Sequence, residues 1–319
     1  MDKVFIDGLA FAAPLFVMAM GGIFSEKSGI TNLAVEGFQG FGAFVGALVA
    51  ILLMGSWGAD SQAIIYIAMV AAFIGGGVFA IIHALLCIKF KANQVISGVV
   101  INVLAVALTT FLTTTANTAI NDNASNKFVL GVYSRFTIPG LSAIPVVGAF
   151  FKNMYVFEFI AIAVAIAAWY LMYKTRFGMH LRAAGENPQA LDAAGGEVNK
   201  IRFISVIISG ALSGLGGIWI AYSISAQFSP SIYMGYGYLA IAALIFGNWN
   251  IWPTGAVCLF FGLARAAGNQ LCIAAGLPSN FGNLFNMIPY ILTLVLLMFF
   301  SRKNHPPKAV GEPYEKGKR

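Results

Sequence analysis

The sequence predicts an all-α fold: a polytopic membrane helical bundle of about nine transmembrane helices, with broken or re-entrant segments and one short helix at the membrane surface. Three observations carry this reading. Of 319 residues, 59% are hydrophobic and 10% are charged, where soluble domains carry about 25% charged residues; mean hydropathy is +0.82. The apolar residues fall into runs of the roughly 17–25 residues that span a bilayer core. Lysine and arginine gather in alternate connections between the runs.

Nine runs emerge: 4–24, 33–54, 63–87, 95–116, 155–173, 202–222, 236–248, 254–271 and 284–300. The first feeds directly into the bundle, and its flank of Asp2, Lys3 and Asp7 lacks the pattern of a cleavable signal. The second has Glu36 near its start and carries Gly42 and Gly46 at GxxxG spacing, which reads as close helix packing. The third holds a lone His83, which reads as a packing residue. In the fourth, Asn102, Thr109 and Thr113 share one stripe. They either hydrogen-bond a neighbouring helix or line a pathway. The fifth starts near Glu158, and the sixth carries Gly210 and Gly214 beside Ser205, Ser209 and Ser213. The seventh is short for a full span and reads as broken or re-entrant, tolerated only where protein or water lines it. In the eighth, Arg265 and Asn269 share a face. An arginine at that depth must face the bundle interior, a cavity or a partner. It either lines a pathway or forms an ion pair, with Glu158 as the candidate partner.

Two long connections interrupt the runs. Residues 117–154 form one, with an apolar piece from Ile144 to Phe151 too short to span, which reads as a cap over the bundle. The other, 174–201, is polar and looks folded. Asn187 can N-cap a helix with Pro188 at its first position. Glu186 lies beside the positive helix start, and Gly195 and Gly196 can close the other end. With 174–201 cytoplasmic, nine spans place the N-terminus outside and the C-terminus inside. Fourteen lysines and arginines then lie on the cytoplasmic side and four, Lys3, Lys127, Arg135 and Lys152, outside. The net charge of +7 is therefore topological and does not call for nucleic acid. The expected organisation is one transmembrane domain, 1–303, with exterior loop 117–154, followed by a basic cytoplasmic tail, 304–319.

The sequence also excludes chemistry. It has no G-x-x-x-x-G-K-[ST] phosphate loop, no H-E-x-x-H and no Ser-His-Asp grouping. Cys87, Cys258 and Cys272 have neither metal-site nor disulfide spacing. The chain reads as a non-enzyme that binds no metal or cofactor. Acidic residues at mid-membrane, which proton- or sodium-coupled carriers use, are scarce. That leaves a passive pore or an externally powered pathway ahead of a self-powered carrier, and a membrane scaffold behind both.

Several blocks carry a family resemblance: GIFSEKSGITN (22–32) followed by Glu36-Gly37, QVISGVVIN (94–102), TRFGMHLRAAGENPQA (175–190), YLAIAALIFG (238–247) and PYILT (289–293). In this order they resemble the permease subunits of bacterial ABC importers for simple sugars and nucleosides. The nearest group is the shorter permease of nucleoside importers served by a basic-membrane-protein-type lipoprotein. One departure from the pattern is Gly196-Glu197, where the family usually has a β-branched or apolar residue after the first glycine. The resemblance implies a bacterial plasma-membrane permease subunit that forms the translocation pathway for a nucleoside. A ribose-like sugar is the alternative, and a gradient-driven carrier or channel is the alternative of another class. It implies a cytoplasmic coupling segment in which Arg182, Gly185, Glu186, Asn187, Pro188, Gln189 and Ala190 meet an ATPase that holds ATP–Mg. The other implied partners are a second, longer permease, an extracellular substrate-binding lipoprotein and membrane lipid.

Overall fold

The apolar runs become helices because a helix satisfies its backbone polar groups within one segment, as a bilayer core demands. The computed structural model describes residues 2–58, 61–144, 147–231, 235–276, 278, 285–300 and 304–316. The helices are α1 (Asp2–Lys27), α2 (Val35–Trp57), α3 (Gln62–Ala84), α4 (Gln94–Asn121), α5 (Val156–Lys174), α6 (Arg176–Glu186), α7 (Pro188–Ala193), α8 (Val198–Ile220), α9 (Tyr236–Phe246), α10 (Ile251–Ala274) and α11 (Ile288–Phe300). Short π-helical turns, Leu85–Lys89 and Ala221–Ser225, extend α3 and α8. Among the described residues, seven helices are long and apolar enough to cross a membrane. The seventh predicted run shortens to the 11 residues of α9, about 16 Å of helix, half of a bilayer core of about 30 Å. The ninth run starts at residue 284, outside the described residues, and its described part is α11.

Helix α1 is the central post. It packs against α8, α10, α9 and α5, and almost every residue from Ala10 to Glu26 is buried. Helices α2, α3 and α8 cross where their small residues meet. A Cβ on Gly42 would fall 2.8 Å from the Ala72 carbonyl, and one on Gly46 would fall 2.6 Å from that of Ala68. A Cβ on Gly76 would lie 3.0 Å from Gly214 Cα. Backbone-to-backbone approach of this kind is how helices associate where apolar surface alone gives no preference between neighbour and lipid.

The connections divide between two ends, named here by Lys27 and Lys152. At the Lys152 end, β1 (Phe128–Val129) pairs antiparallel with β4 (Gln227–Phe228), and β2 (Arg135–Phe136) pairs with β3 (Met154–Tyr155). These ladders pin the loop after α4, and Asn117 holds its first turn by donating to the Ser125 and Lys127 carbonyls at 2.7 and 2.9 Å. Of the predicted apolar cap, residues 145 and 146 lie outside the described residues. Phe150 packs edge-on against Phe5, with centroids 4.8 Å apart.

The glycine crossing yields a testable expectation. Gly42→Val should destabilise the bundle by about 1–3 kcal/mol, because the opposing atoms are backbone and cannot repack. Gly77→Ala should be neutral, since its new Cβ would sit 3.4 Å from the Ala211 side chain. Thermal unfolding in detergent reads both, and equal melting temperatures for wild type and Gly42→Val would contradict the packing.

Candidate functional site

As at any helix start, the first N–H groups of α9 have no intrahelical partner. The Glu36 side chain, two residues into α2, meets this need. One carboxylate oxygen accepts from the Gly235 N–H and the other from the Gly237 N–H at 2.9 Å. The carboxylate thus also faces the positive end of the α9 dipole. Gly237 is required there, since a Cβ would fall 2.6 Å from the Glu36 backbone. Gly235 sits at φ +102°, a conformation that side chains other than glycine resist.

Asn102 completes the junction. Its Oδ1 accepts from Gly37 N at 2.8 Å, and its Nδ2 donates to the Leu33 carbonyl at 2.8 Å and the Tyr238 hydroxyl at 3.0 Å. One side chain of α4 therefore ties down both the α1–α2 connection and α9. Deeper in the same connection, Asn32 donates to Ser209 Oγ of α8 at 2.7 Å. Next to this junction lies a cavity of about 590 Å³, lined by Glu36, Asn102, Gly235, Tyr238 and the apolar face Val103, Val106 and Ala107.

The predicted stripe on α4 therefore divides. Asn102 reaches a cavity wall, whereas Thr109 and Thr113 are buried on a helix that packs chiefly against α2. Thr109 bonds back to the Ala105 carbonyl at 2.7 Å. Spacing placed these residues on one face but did not say which neighbour covers it.

Arg265 and Asn269 line a second cavity of about 300 Å³, with Asp7, Arg135 and Ser223. The Arg265 guanidinium lies 4.5 Å over the Phe11 ring and donates to the Tyr236 hydroxyl at 3.3 Å. Its Nε has no protein partner. The candidate ion pair with Glu158 does not form. Glu158 accepts from the Tyr155 N–H at 3.3 Å and lines a different, apolar cavity with Phe16 and Trp252. Asp7, Phe11, Arg135, Ser223, Tyr236 and Asn269, from five elements, meet around Arg265, so no local spacing could reveal the cluster.

The polar segment 174–201 lies at the Lys27 end. Asn187 ends α6 and caps α7, accepting from Ala190 N at 3.0 Å, with Pro188 at the first position. Gly195, at φ +82°, and the Gly196 N–H, bonded to the Leu191 carbonyl at 2.9 Å, close the helix. Pro188 and Leu191 are buried, while Gln189, Ala190, Ala193 and Ala194 are exposed. Sequence reasoning missed α6. It forms because Thr175 caps it, accepting from Gly178 N at 3.2 Å, and because Gly185 lets it approach the Lys27 carbonyl. Gly185 is buried there, and Arg182 lies over the Tyr173 ring at 5.2 Å. Arg182 and Glu186 also line a cavity of about 270 Å³ with Lys27, Trp249 and His305.

The structure is a multi-pass bundle of apolar helices in which the start of α9 lies between a largely apolar cavity and a polar one. The chain belongs to the family described as the permease component of branched-chain amino acid transport systems, whose model matches residues 4–298. It is 40% identical over 317 residues to the guanosine ABC transporter permease protein NupQ of Bacillus subtilis, covering 98% of this chain and 96% of that one. It is 37% identical over 316 residues to the nucleoside ABC transporter permease protein NupC of Lactococcus lactis, covering 97% and 96%. A match at 24% identity to the guanosine ABC transporter permease protein NupP of B. subtilis covers 90% of this chain and 78% of NupP.

The α9 junction predicts the effect of removing its cap. Glu36→Ala should lower stability by about 1–3 kcal/mol for each N–H left buried without a partner. Glu36→Gln, which keeps one acceptor oxygen, should lose less. A Glu36→Ala protein that melts at the wild-type temperature would show that the carboxylate does not hold the half-helix.

Proposed function

We propose that this chain is the shorter permease subunit of an ATP-driven nucleoside importer in the bacterial plasma membrane. The carrying observation is its near full-length similarity to two permeases named for guanosine and nucleoside transport. The partial coverage of NupP is what a longer paralogue gives, and it supports pairing with a second, different permease.

The geometry fits this role. Taking α9 and α11 as crossings beside the seven longer helices gives nine. The Lys27 end, with Lys89, Lys91, Lys174, Arg176, Arg182 and Lys200, is then cytoplasmic, as the positive-inside rule asks. The N-terminus lies outside and the C-terminus inside. The small, exposed face of α7 suits insertion into a groove on a cytoplasmic ATPase, which holds the ATP–Mg. Arg182, Gly185 and Glu186 set the angle of α7 from α6. On the outer side, an extracellular binding lipoprotein delivers solute to the Lys152 end. There, Asp7 offers an acceptor and Arg135, Arg265, Asn269 and Ser223 offer donors, a mixed lining suited to an uncharged nucleoside rich in both. Asn102 shapes the wall of the deeper cavity, and Thr109 and Thr113 serve packing.

Two measurements check the reading. Arg265→Ala should cut uptake on the order of tenfold at unchanged expression, a loss of about 1.4 kcal/mol in transition-state terms. Arg265→Lys should rescue in part, since lysine lacks the planar fork. Full transport by Arg265→Ala would remove Arg265 from the pathway. The double variant Glu186→Ala with Pro188→Gly weakens the start of α7 and should abolish ATP-dependent uptake while the protein still inserts. Normal uptake at matched protein level would remove α7 from coupling.

A further inference from the structure

Residues 304–316 have the composition of a solvated tail, yet they lie flat on the Lys27 end and touch nearly every connection there. The His305 N–H donates to Asn248 Oδ1 in the α9–α10 turn at 2.8 Å. Ala309 N donates to the Gly185 carbonyl of α6 at 2.8 Å, and Gly311 N to the Gly29 carbonyl of the α1–α2 connection at 3.2 Å. Lys91, between α3 and α4, reaches Glu315 at 3.1 Å. Tyr314 and Ala309 are buried, and Tyr314 sits beside Asp192 of α7. Pro306, Pro307 and Pro313 stiffen the segment, and Gly311, at φ +84°, turns it.

The key to the contact set is Arg202. It lies one turn into α8 and is only 2% exposed. Its Nε donates to the Ser28 carbonyl at 3.0 Å and its Nη1 to the Glu312 carbonyl at 2.9 Å. One guanidinium thus joins α8, the α1–α2 connection and the C-terminal segment. Its planar fork spans two acceptors in a way a lysine cannot. By contrast, α7 buries only Pro188 and Leu191. Two side chains are a slender link for passing a push from a surface helix to a bundle.

We propose that residues 304–316 are a strap that binds α6 and α7 to the α1–α2, α3–α4 and α9–α10 connections, with Arg202 as its positioning residue. A displacement applied to α7 then reaches α1, α8 and α10 as the motion of one body. The proposal rests on the reading of α7 as the coupling helix. It separates two properties that a coupling helix alone would keep together: docking of the ATPase, which needs α7, and delivery of its stroke, which needs the strap.

The test uses the complete transporter in lipid vesicles, with the permease either full-length or ended after Asn304, and with full-length Arg202→Lys as a second variant. Three quantities are read: cross-linking of Gln189→Cys to the ATPase, ATP hydrolysis, and the change in hydrogen exchange at residues 28–34 on adding ATP–Mg, which needs no transported solute. Uptake of labelled guanosine per ATP hydrolysed is the fourth. The shortened chain should still cross-link and hydrolyse ATP, while uptake per ATP falls on the order of tenfold, within the usual range of coupling between distant sites. The ATP-induced change at 28–34 should disappear, and Arg202→Lys should fall between the two. Retention of the exchange response by the shortened chain would overturn the strap. So would loss of cross-linking, hydrolysis and exchange response together, since the segment would then serve assembly only. Failure of Gln189→Cys to cross-link in the full-length complex would instead overturn the coupling reading beneath it.

Discussion

The fold turns on one buried carboxylate. Glu36 accepts hydrogen bonds from the first N–H groups of α9, and so holds the start of that helix against α2. In hydrocarbon each orphaned backbone group costs several kcal/mol by apolar-transfer estimates. A half-helix is therefore tolerated only where protein supplies the missing acceptors. Once α9 is fixed by Glu36, Tyr238 points its hydroxyl at Asn102, and Asn102 in turn holds the α1–α2 connection. Both cavities flank this start: one beside Tyr238 and Asn102, the other beside Tyr236 and Arg265. The cap and the Asn102 cavity share Glu36 and Gly235, so the residues that fix α9 also shape that cavity.

A second constraint is close packing of backbone. The α2–α3–α8 crossing uses glycine on all three helices, and α1 fills the centre with almost complete burial. This frame is rigid, whereas the Lys27 end is built from short helices, turns and the C-terminal segment. At that end, Glu26 accepts from the indole of Trp249 at 2.5 Å, tying the last turn of α1 to the start of α10. Rigid spans joined by a hydrogen-bonded layer at one end suit a machine that is pushed from that end.

The sequence reveals what depends on neighbours in the chain. The α7 caps follow from Asn187-Pro188 and Gly195-Gly196, and the short seventh run becomes the 11-residue α9. It conceals what depends on residues far apart. Glu36 reads as a carboxylate near a span end until Gly235 is brought 199 positions back to meet it. Helix α6 is hidden because Gly178 and Gly185 weaken its propensity, and their purpose, close approach to α5 and to the end of α1, exists only in three dimensions. The C-terminal segment reads as solvated because most of its anchors are backbone N–H and carbonyl groups, which carry no side-chain signal. Arg265 is legible as an interior arginine, but its partners are not: Phe11 and Tyr236 take the place that Glu158 might have filled by charge alone.

The account describes a pathway that is opened and closed by ATP hydrolysed on another subunit. The most direct measurement is uptake of labelled guanosine into vesicles holding the complete transporter and its binding protein, with ATP–Mg supplied on the ATPase side. The account predicts accumulation above the outside concentration, abolished when ATP is replaced by a non-hydrolysable analogue. Equilibration at the same rate without ATP, stopping when the two concentrations match, would contradict it and make the chain a passive channel.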